Sequence, residues 1–412
     1  MRLVNRMQRL SGLSALHMKK SRIVNYLALS VLLALGSGLS ACSGFTDLKN
    51  NLSESIFGAE PANPPVELEP IKSSYDMRIA WSTDVGEAGR FTYSPVVADN
   101  FIYTVNAGGT VMQLAADSGK LQWKTELEEP ISSSVGLGGG LVLAGTSKGR
   151  LYALNMNGKK VWSAILSSEI QGQPRYYDGT VIVRTSDHHI YGIDAADGRR
   201  KWVYERATPS LSLKTQAGIV VDSGAIYAGF PGGKLVAIRA DNGKLLWEAT
   251  VAQPKGVTEI ERIADITSLP FVDGAVVYVV AYQGKVAAVD RQRGQVIWSR
   301  DISSYIGLTA DNGKIYLSHT IGSVYSLDTA NGKTFWRQGN LGYRHLTIPL
   351  PLSNIVAVGD LEGYVHLLSQ DDGSFVGRTQ LGSKPLMSLV AGSNNQFFAQ
   401  SRDGHLYAVT YK

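Results

Sequence analysis

Cysteine occurs once in these 412 residues, at Cys42, so no internal disulfide can form. Histidine is also sparse: His17 lies near the N-terminus, His188 and His189 are adjacent, and His319, His345, His366 and His405 are scattered without a ligand spacing. On a strand His188 and His189 would point to opposite faces, so they do not read as a shared metal site. The apolar run from Ile23 to Leu35 is too short for a convincing transmembrane helix. Beyond about residue 75 no stretch of helical period interrupts the short apolar runs.

The N-terminal run follows Lys19, Lys20 and Arg22 and ends in Leu39-Ser40-Ala41-Cys42. A basic segment, an apolar segment and small residues before the cut read as a signal peptide over residues 1–41, with Met18 as a possible true start. Those 41 residues carry six basic and no acidic side chains, so their removal takes the formal charge from +5 to −1. The basic pI belongs to the leader, and nothing in the mature charge points to nucleic acid. The polar, Pro-bearing stretch that follows, ending near residue 74, reads as a flexible tether without contacts of its own.

What the chain has in quantity is a repeat of about forty residues. Thr110 to Leu114 is followed by Ser118-Gly119-Lys120 and Trp123, then Leu151 to Leu154 by Asn157-Gly158-Lys159 and Trp162. The pattern returns at Gly198 and Trp202, Gly243 and Trp247, Gly294 and Trp298, and Gly332 and Trp336. Each unit adds two earlier apolar runs, such as Pro95-Val96-Val97 and Phe101 to Val105, making four short strands. Units of this length and content are β-propeller blades, which bury their faces only against neighbours.

All seven tryptophans, Trp81, Trp123, Trp162, Trp202, Trp247, Trp298 and Trp336, fall on the repeat as structural docking residues. A further turn at Asp372-Gly373 carries Gly377 where the Trp belongs, and a last unit from Phe397 to Val409 stops short of its outer strand. Met77 to Trp81 precedes the first unit and has no inner strands of its own. The prediction is therefore an all-β, eight-bladed propeller of four-stranded antiparallel blades over residues 75–412, closed by the N-terminal strand completing the C-terminal blade.

Catalytic signals dissolve on inspection. Gly145-Thr146-Ser147-Lys148-Gly149 has the outline of a nucleophile elbow, but that motif needs a strand-to-helix turn, and here it aligns with a hairpin. Tryptophan spacings of 42, 39, 40, 45, 51 and 38 place the surplus residues at Arg206 to Lys214 and Val251 to Leu269. Both segments link the outer strand of one blade to the inner strand of the next, so they emerge at one end. Leu211 and Leu213 with Glu259, Glu261, Arg262 and Asp265 could be apolar anchors in a charged surround. They could equally be leucines over the core with charges in water.

The Ala-x-Asp-x-x-x-Gly-Lys-x-x-Trp pattern resembles the tryptophan-docking (PQQ-like) repeat of the quinoprotein-like propellers, which include dehydrogenases and non-catalytic proteins. Dehydrogenases of that class typically carry quinone ligands, a cysteine pair and long insertions; the lone cysteine and forty-residue blades here favour a binding propeller without a cofactor. A quinoprotein-like enzyme or a small-ligand-binding periplasmic sensor is the alternative.

Leu-Ser-Ala-Cys resembles the lipobox of bacterial lipoproteins, which implies a lipidated (palmitate-bearing) Cys42 and a 42–74 tether. Ser43 after it implies the periplasmic face of the outer membrane. Together with Pro209 to Lys214 and Thr258 to Asp265, these features are similar to the BamB family of the outer-membrane β-barrel assembly (Bam) machinery. The resemblance implies a non-catalytic scaffold that binds the POTRA domains of BamA through Leu211, Leu213, Lys214, Arg262 and Asp265, and possible contact with unfolded outer-membrane protein clients. The family often has Arg at the position of Lys214 and a second Asp at that of Thr267, so the electrostatic part of such a contact is expected to be weaker here.

Overall fold

The computed structural model describes residues 63–207, 213, 218–253, 256–258, 262–393 and 395–412, and these form strands and connections without a helix. They make eight four-stranded antiparallel sheets in chain order, an eight-bladed β-propeller. Blade 1 runs from its inner strand Val96–Ala98 through Phe101–Val105 and Thr110–Ala115 to its outer strand Leu121–Glu126. Blades 2 to 7 repeat this order. Blade 8 takes three strands, Leu386–Ala391, Gln396–Ser401 and His405–Tyr411, from the C-terminus and its outer strand, Met77–Asp84, from the other end of the chain. The closing register runs from Met77 opposite Tyr411 to Asp84 opposite His405, and Asp76 and Lys412 exchange backbone hydrogen bonds at 3.0 Å.

Blades cohere through their gaps, each of which holds its own apolar cluster. Between blades 4 and 5, for example, Tyr227, Leu235 and Trp247 pack with Ile266, Val277 and Val289; between blades 8 and 1, Phe398 and Leu406 meet Ile102 and Leu114. The alternation expected of half-buried sheets is replaced in the two middle strands by nearly continuous burial, as in Phe101–Val105 and Thr110–Ala115.

The Trp–Gly repeat is the physical joint between blades. Trp123 donates its indole N–H to the Met156 carbonyl of blade 2 at 2.9 Å. Its six-membered ring lies on Gly158, where a Cβ would sit 2.6 Å from Trp123 Cε3. Trp81 on Gly119, Trp162 on Gly198, Trp202 on Gly243, Trp247 on Gly294, Trp298 on Gly332 and Trp336 on Gly373 repeat the contact. Each of these glycines also has positive φ. Only Trp202 departs, its buried Nε1 meeting no acceptor. In blades 1 to 6 a bulge in the outer hairpin, such as that between Gln113 and Leu114, advances the Trp into place and sharpens the local twist, and blade 7 keeps the bulge with Gly377 in the Trp position.

Gly332 tests this joint. Its φ is +70° and an added Cβ would lie 2.7 Å from Trp298 Cε3. Gly332→Ala combines left-handed strain with displacement of a packed ring, an expected loss of about 2 kcal/mol. Urea unfolding should show a lowered midpoint with an unchanged slope; an unshifted midpoint would mean the joint is slack.

The seventh blade explains its missing tryptophan. The gap it faces has no outer Gly turn, because blade 8 is joined there by the two chain ends. The chain entering the closing strand occupies the place instead: Ser74 and Tyr75 donate to the Val376 carbonyl at 2.9 Å, and a Cβ at Gly377 would come within 3.4 Å of Tyr75 Cβ. The expectation of a contact-free spacer up to residue 74 is thereby corrected for its described part. From Val66 onward the segment is held on the propeller by hydrogen bonds, and Leu68 packs between blades 6 and 7. Cys42 and the leader lie outside the described residues.

Candidate functional site

Both long connections emerge at one end of the propeller, as their topology requires: one between Arg200–Tyr204 and Ile219–Asp222, the other between Leu245–Thr250 and Phe271–Asp273. At their junction sits Asp265. Its carboxylate accepts the Leu213 N–H at 2.8 Å through Oδ2 and the Gly232 N–H at 3.0 Å through Oδ1, while its carbonyl accepts the Tyr282 N–H at 2.9 Å. One residue thus ties the blade 3–4 connection, a turn of blade 4 and a turn of blade 5 to the second long loop.

That placement changes the role read from sequence. Asp265 is only 4% exposed and is flanked by buried Ile263, Ala264 and Ile266, so it organises the loops from beneath. Thr267 is buried as well, its hydroxyl donating to the Tyr305 carbonyl at 3.4 Å. Leu213 is half-buried beside this hub. Arg262 is exposed and donates through Nε to the Gly256 carbonyl at 3.2 Å, closing the tip of the second loop. That tip presents Val257 with 92% of its surface exposed, an apolar side chain pushed into water. Leu211, Lys214, Glu259 and Glu261 lie outside the described residues.

Sequence reasoning missed an aromatic pair at the same end. Tyr282 and Tyr305 meet edge to face with centroids 6.4 Å apart, and Tyr305 Oη lies 3.4 Å from His345 Nδ1. The pair extends the surface from the blade 4–5 connection toward blade 6. Its only sequence signal was a tyrosine in a turn between middle strands, which has no periodic counterpart in the other blades.

Among the described residues the histidines do not assemble a reactive group. His188 and His189 lie in the turn between Thr180–Thr185 and Ile190–Asp194 rather than on a strand, and His188 takes φ +66°. They diverge all the same, His188 toward Phe230 and His189 toward Tyr191. Ser167, Asp187 and Tyr191 all approach His189 through one ring nitrogen, Nδ1, at 3.1–3.4 Å. A relay needs the base to contact nucleophile and carboxylate through different nitrogens. Among the described residues no group of three or more His, Cys, Asp and Glu side chains is placed to hold a metal ion. Gly145 to Gly149 forms the hairpin between Leu141–Gly145 and Arg150–Asn155, as its alignment predicts.

The family model described as outer membrane protein assembly factor BamB matches residues 75–134, 107–338 and 322–412. This chain belongs to the BamB family. BamB of Pseudomonas aeruginosa is 38% identical over 355 residues, which is 85% of this chain and 93% of that one. BamB of Escherichia coli K12 is 32% identical over 386 residues, 90% of this chain and 96% of that one. Among solved structures, BamB from Moraxella catarrhalis superposes with a TM-score of 0.75 at 26% identity, covering 81% of this chain and 100% of that one. A quinohemoprotein alcohol dehydrogenase from Comamonas testosteroni reaches a TM-score of 0.67 at 15% identity over 81% of this chain and 76% of its own, a likeness of fold alone.

Proposed function

We propose that this BamB-family chain is a non-catalytic scaffold that assists assembly and insertion of β-barrel proteins at the outer membrane by binding the POTRA domains of BamA. The name shared by its relatives, outer membrane protein assembly factor, supports the assembly role. The observation that carries the surface is the Asp265 hub, which fastens Leu213 of the blade 3–4 connection and the Gly232 turn to the blade 4–5 connection at one end of the ring. Residues held in place before binding lose less conformational freedom on binding, and Leu213, Val257 and the Tyr282–Tyr305 pair give the apolar and aromatic content that interface anchors use.

In this reading Leu211, Leu213 and Lys214 touch the partner with Arg262 at the rim, while Asp265 acts as a positioning residue. Cys42 carries the lipid that holds the protein to the periplasmic face of the outer membrane. Unfolded barrel clients are a second class of ligand for the same end.

Leu213→Glu is the decisive variant, because the Asp265 carboxylate grips the Leu213 N–H and the substitution spares it. Lipidated protein should be recovered from detergent-solubilised envelopes with wild type and variant in parallel. A POTRA-bearing barrel protein is expected with wild type and to be lost with Leu213→Glu at unchanged melting temperature. Equal recovery would move the interface elsewhere on the ring; no such partner in either would remove the assembly reading for this chain.

A further inference from the structure

The segment ahead of the closing strand runs along the outer strand of blade 7, Phe375–Gln380, in the opposite direction. Val66 begins it at the end that bears the long connections: its N–H donates to the Gly342 carbonyl at 2.9 Å, and Gly342 lies in the connection between blades 6 and 7. Tyr75 finishes it at the other end, against Val376. Between them two guanidinium groups grip the strap by its backbone. Arg344 Nη1 donates to the Val66 carbonyl at 2.8 Å, and Arg378 Nη1 donates to the Glu69 carbonyl at 2.7 Å.

Both arginines are set by one buried histidine and its carboxylate. Arg344, 2% exposed, donates through Nε to Asp360 Oδ2 at 2.6 Å and through Nη2 to Glu362. His366, fully buried, lies with Nε2 2.9 Å from the same Asp360 oxygen. Its Nδ1 accepts from Arg378 Nε at 3.0 Å. Arg378 has only protons to offer, so Nδ1 must hold a lone pair, and the ring is the neutral tautomer that donates from Nε2 to Asp360.

We propose that the outer face of blade 7 is a docking site for the chain's own residues 66–75, and that acid releases this strap by placing a proton on His366 Nδ1. A proton there abolishes the acceptor for Arg378 and sets a second cation against it. The groups facing His366 are Asp360 and Glu362 from the turn after Ile355–Gly359, Arg344 from the blade 6–7 connection, Arg378 from the outer strand, and the rings of Tyr364 and Phe375. Burial pushes His366 below its ordinary value, with Arg378 and Arg344 adding to the effect against the pull of Asp360. A released strap binds the proton more readily than a docked one, so docking is favoured while His366 is neutral and weakens as pH falls through the range, below its ordinary value, in which the buried ring takes up a proton. Release frees ten residues, on the order of 30 Å of extended chain, between the propeller and everything N-terminal to it. This proposal does not depend on which partner the loops bind.

Hydrogen exchange of the full chain, followed by peptide mass spectrometry and corrected for intrinsic rates, tests it at pH 7.5 and 5.0. Protection of the 66–75 peptide is expected to drop on the order of tenfold in wild type. The blade peptides should keep their protection. His366→Gln can donate to Asp360 and accept from Arg378 without titrating, and should hold the strap at both pH values. Arg378→Leu should loosen it at both. Equal protection in wild type at the two pH values, an equal loss in His366→Gln, or loss of protection throughout the blades at pH 5.0 would each overturn the proposal.

Discussion

Deleting residues 75–86 should leave a chain with no cooperative thermal transition. The deletion takes the whole strand Met77–Asp84, its seven-residue register against His405–Tyr411, the indole of Trp81 on Gly119, and Val85 from the blade 8–1 cluster. Blade 8 is then three strands with an open edge, and the joint to blade 1 is gone. A propeller distributes its apolar clusters among gaps, so an opened ring has no separate core to fall back on. The exposed edge also templates association, so the truncated chain should sediment as aggregate. Removing residues 63–73 alone is the control: the strap goes, the closing strand stays, and a cooperative transition at a lower midpoint is expected. Differential scanning calorimetry separates the cases. An unchanged transition after the longer deletion would refute closure by this strand.

The parts of this structure that sequence exposed are those that repeat. A tryptophan and a glycine of the next unit mean the same thing seven times over, and even the absent Trp at position 377 and the last unit's missing outer strand were informative because they broke the series. Features that occur once were opaque. Asp265 looked like one of several loop charges, and nothing local distinguishes a carboxylate that faces water from one that accepts two backbone N–H groups from other segments, one of them 52 positions away. His366 looked like a scattered histidine, yet it lies in a network that reaches Val66 across 278 positions from Arg344. The strap itself is polar and Pro-bearing, which is the composition of a linker; it is held by Arg344 of the blade 6–7 connection and Arg378 of blade 7 rather than by its own propensity. Contacts of this separation carry no periodic signature, so only the folded arrangement reveals them.

The network in blade 7 makes the second large prediction. Asp360 is fully buried and serves Arg344 and His366 at once, while its Oδ1 accepts the N–H groups of Glu362 and Tyr364 at 2.9 and 3.0 Å. Burial alone would raise its pKa; the hydrogen bond from His366, with help from Arg344 and the Tyr364 N–H, reverses that and holds the carboxyl below its ordinary range. Asp360→Ala leaves a buried guanidinium with one carboxylate fewer and an imidazole N–H with no acceptor, an expected loss of about 3–5 kcal/mol in urea unfolding at pH 7. The carboxylate's contribution is present above the ordinary Asp value and is lost as pH falls through the depressed one, so the gap between wild type and variant should narrow only in strong acid. If the penalty comes from stranded polar groups rather than from a strong ion pair, replacing both partners with apolar residues should recover part of it. Arg344→Met/Asp360→Leu is therefore expected to be more stable than Asp360→Ala although it removes more hydrogen bonds. A double variant that is less stable than the single one by the full cost of Arg344→Met would instead mean that the guanidinium finds other partners when Asp360 is gone, and that its grip on the Val66 carbonyl holds blade 7 together independently of the carboxylate.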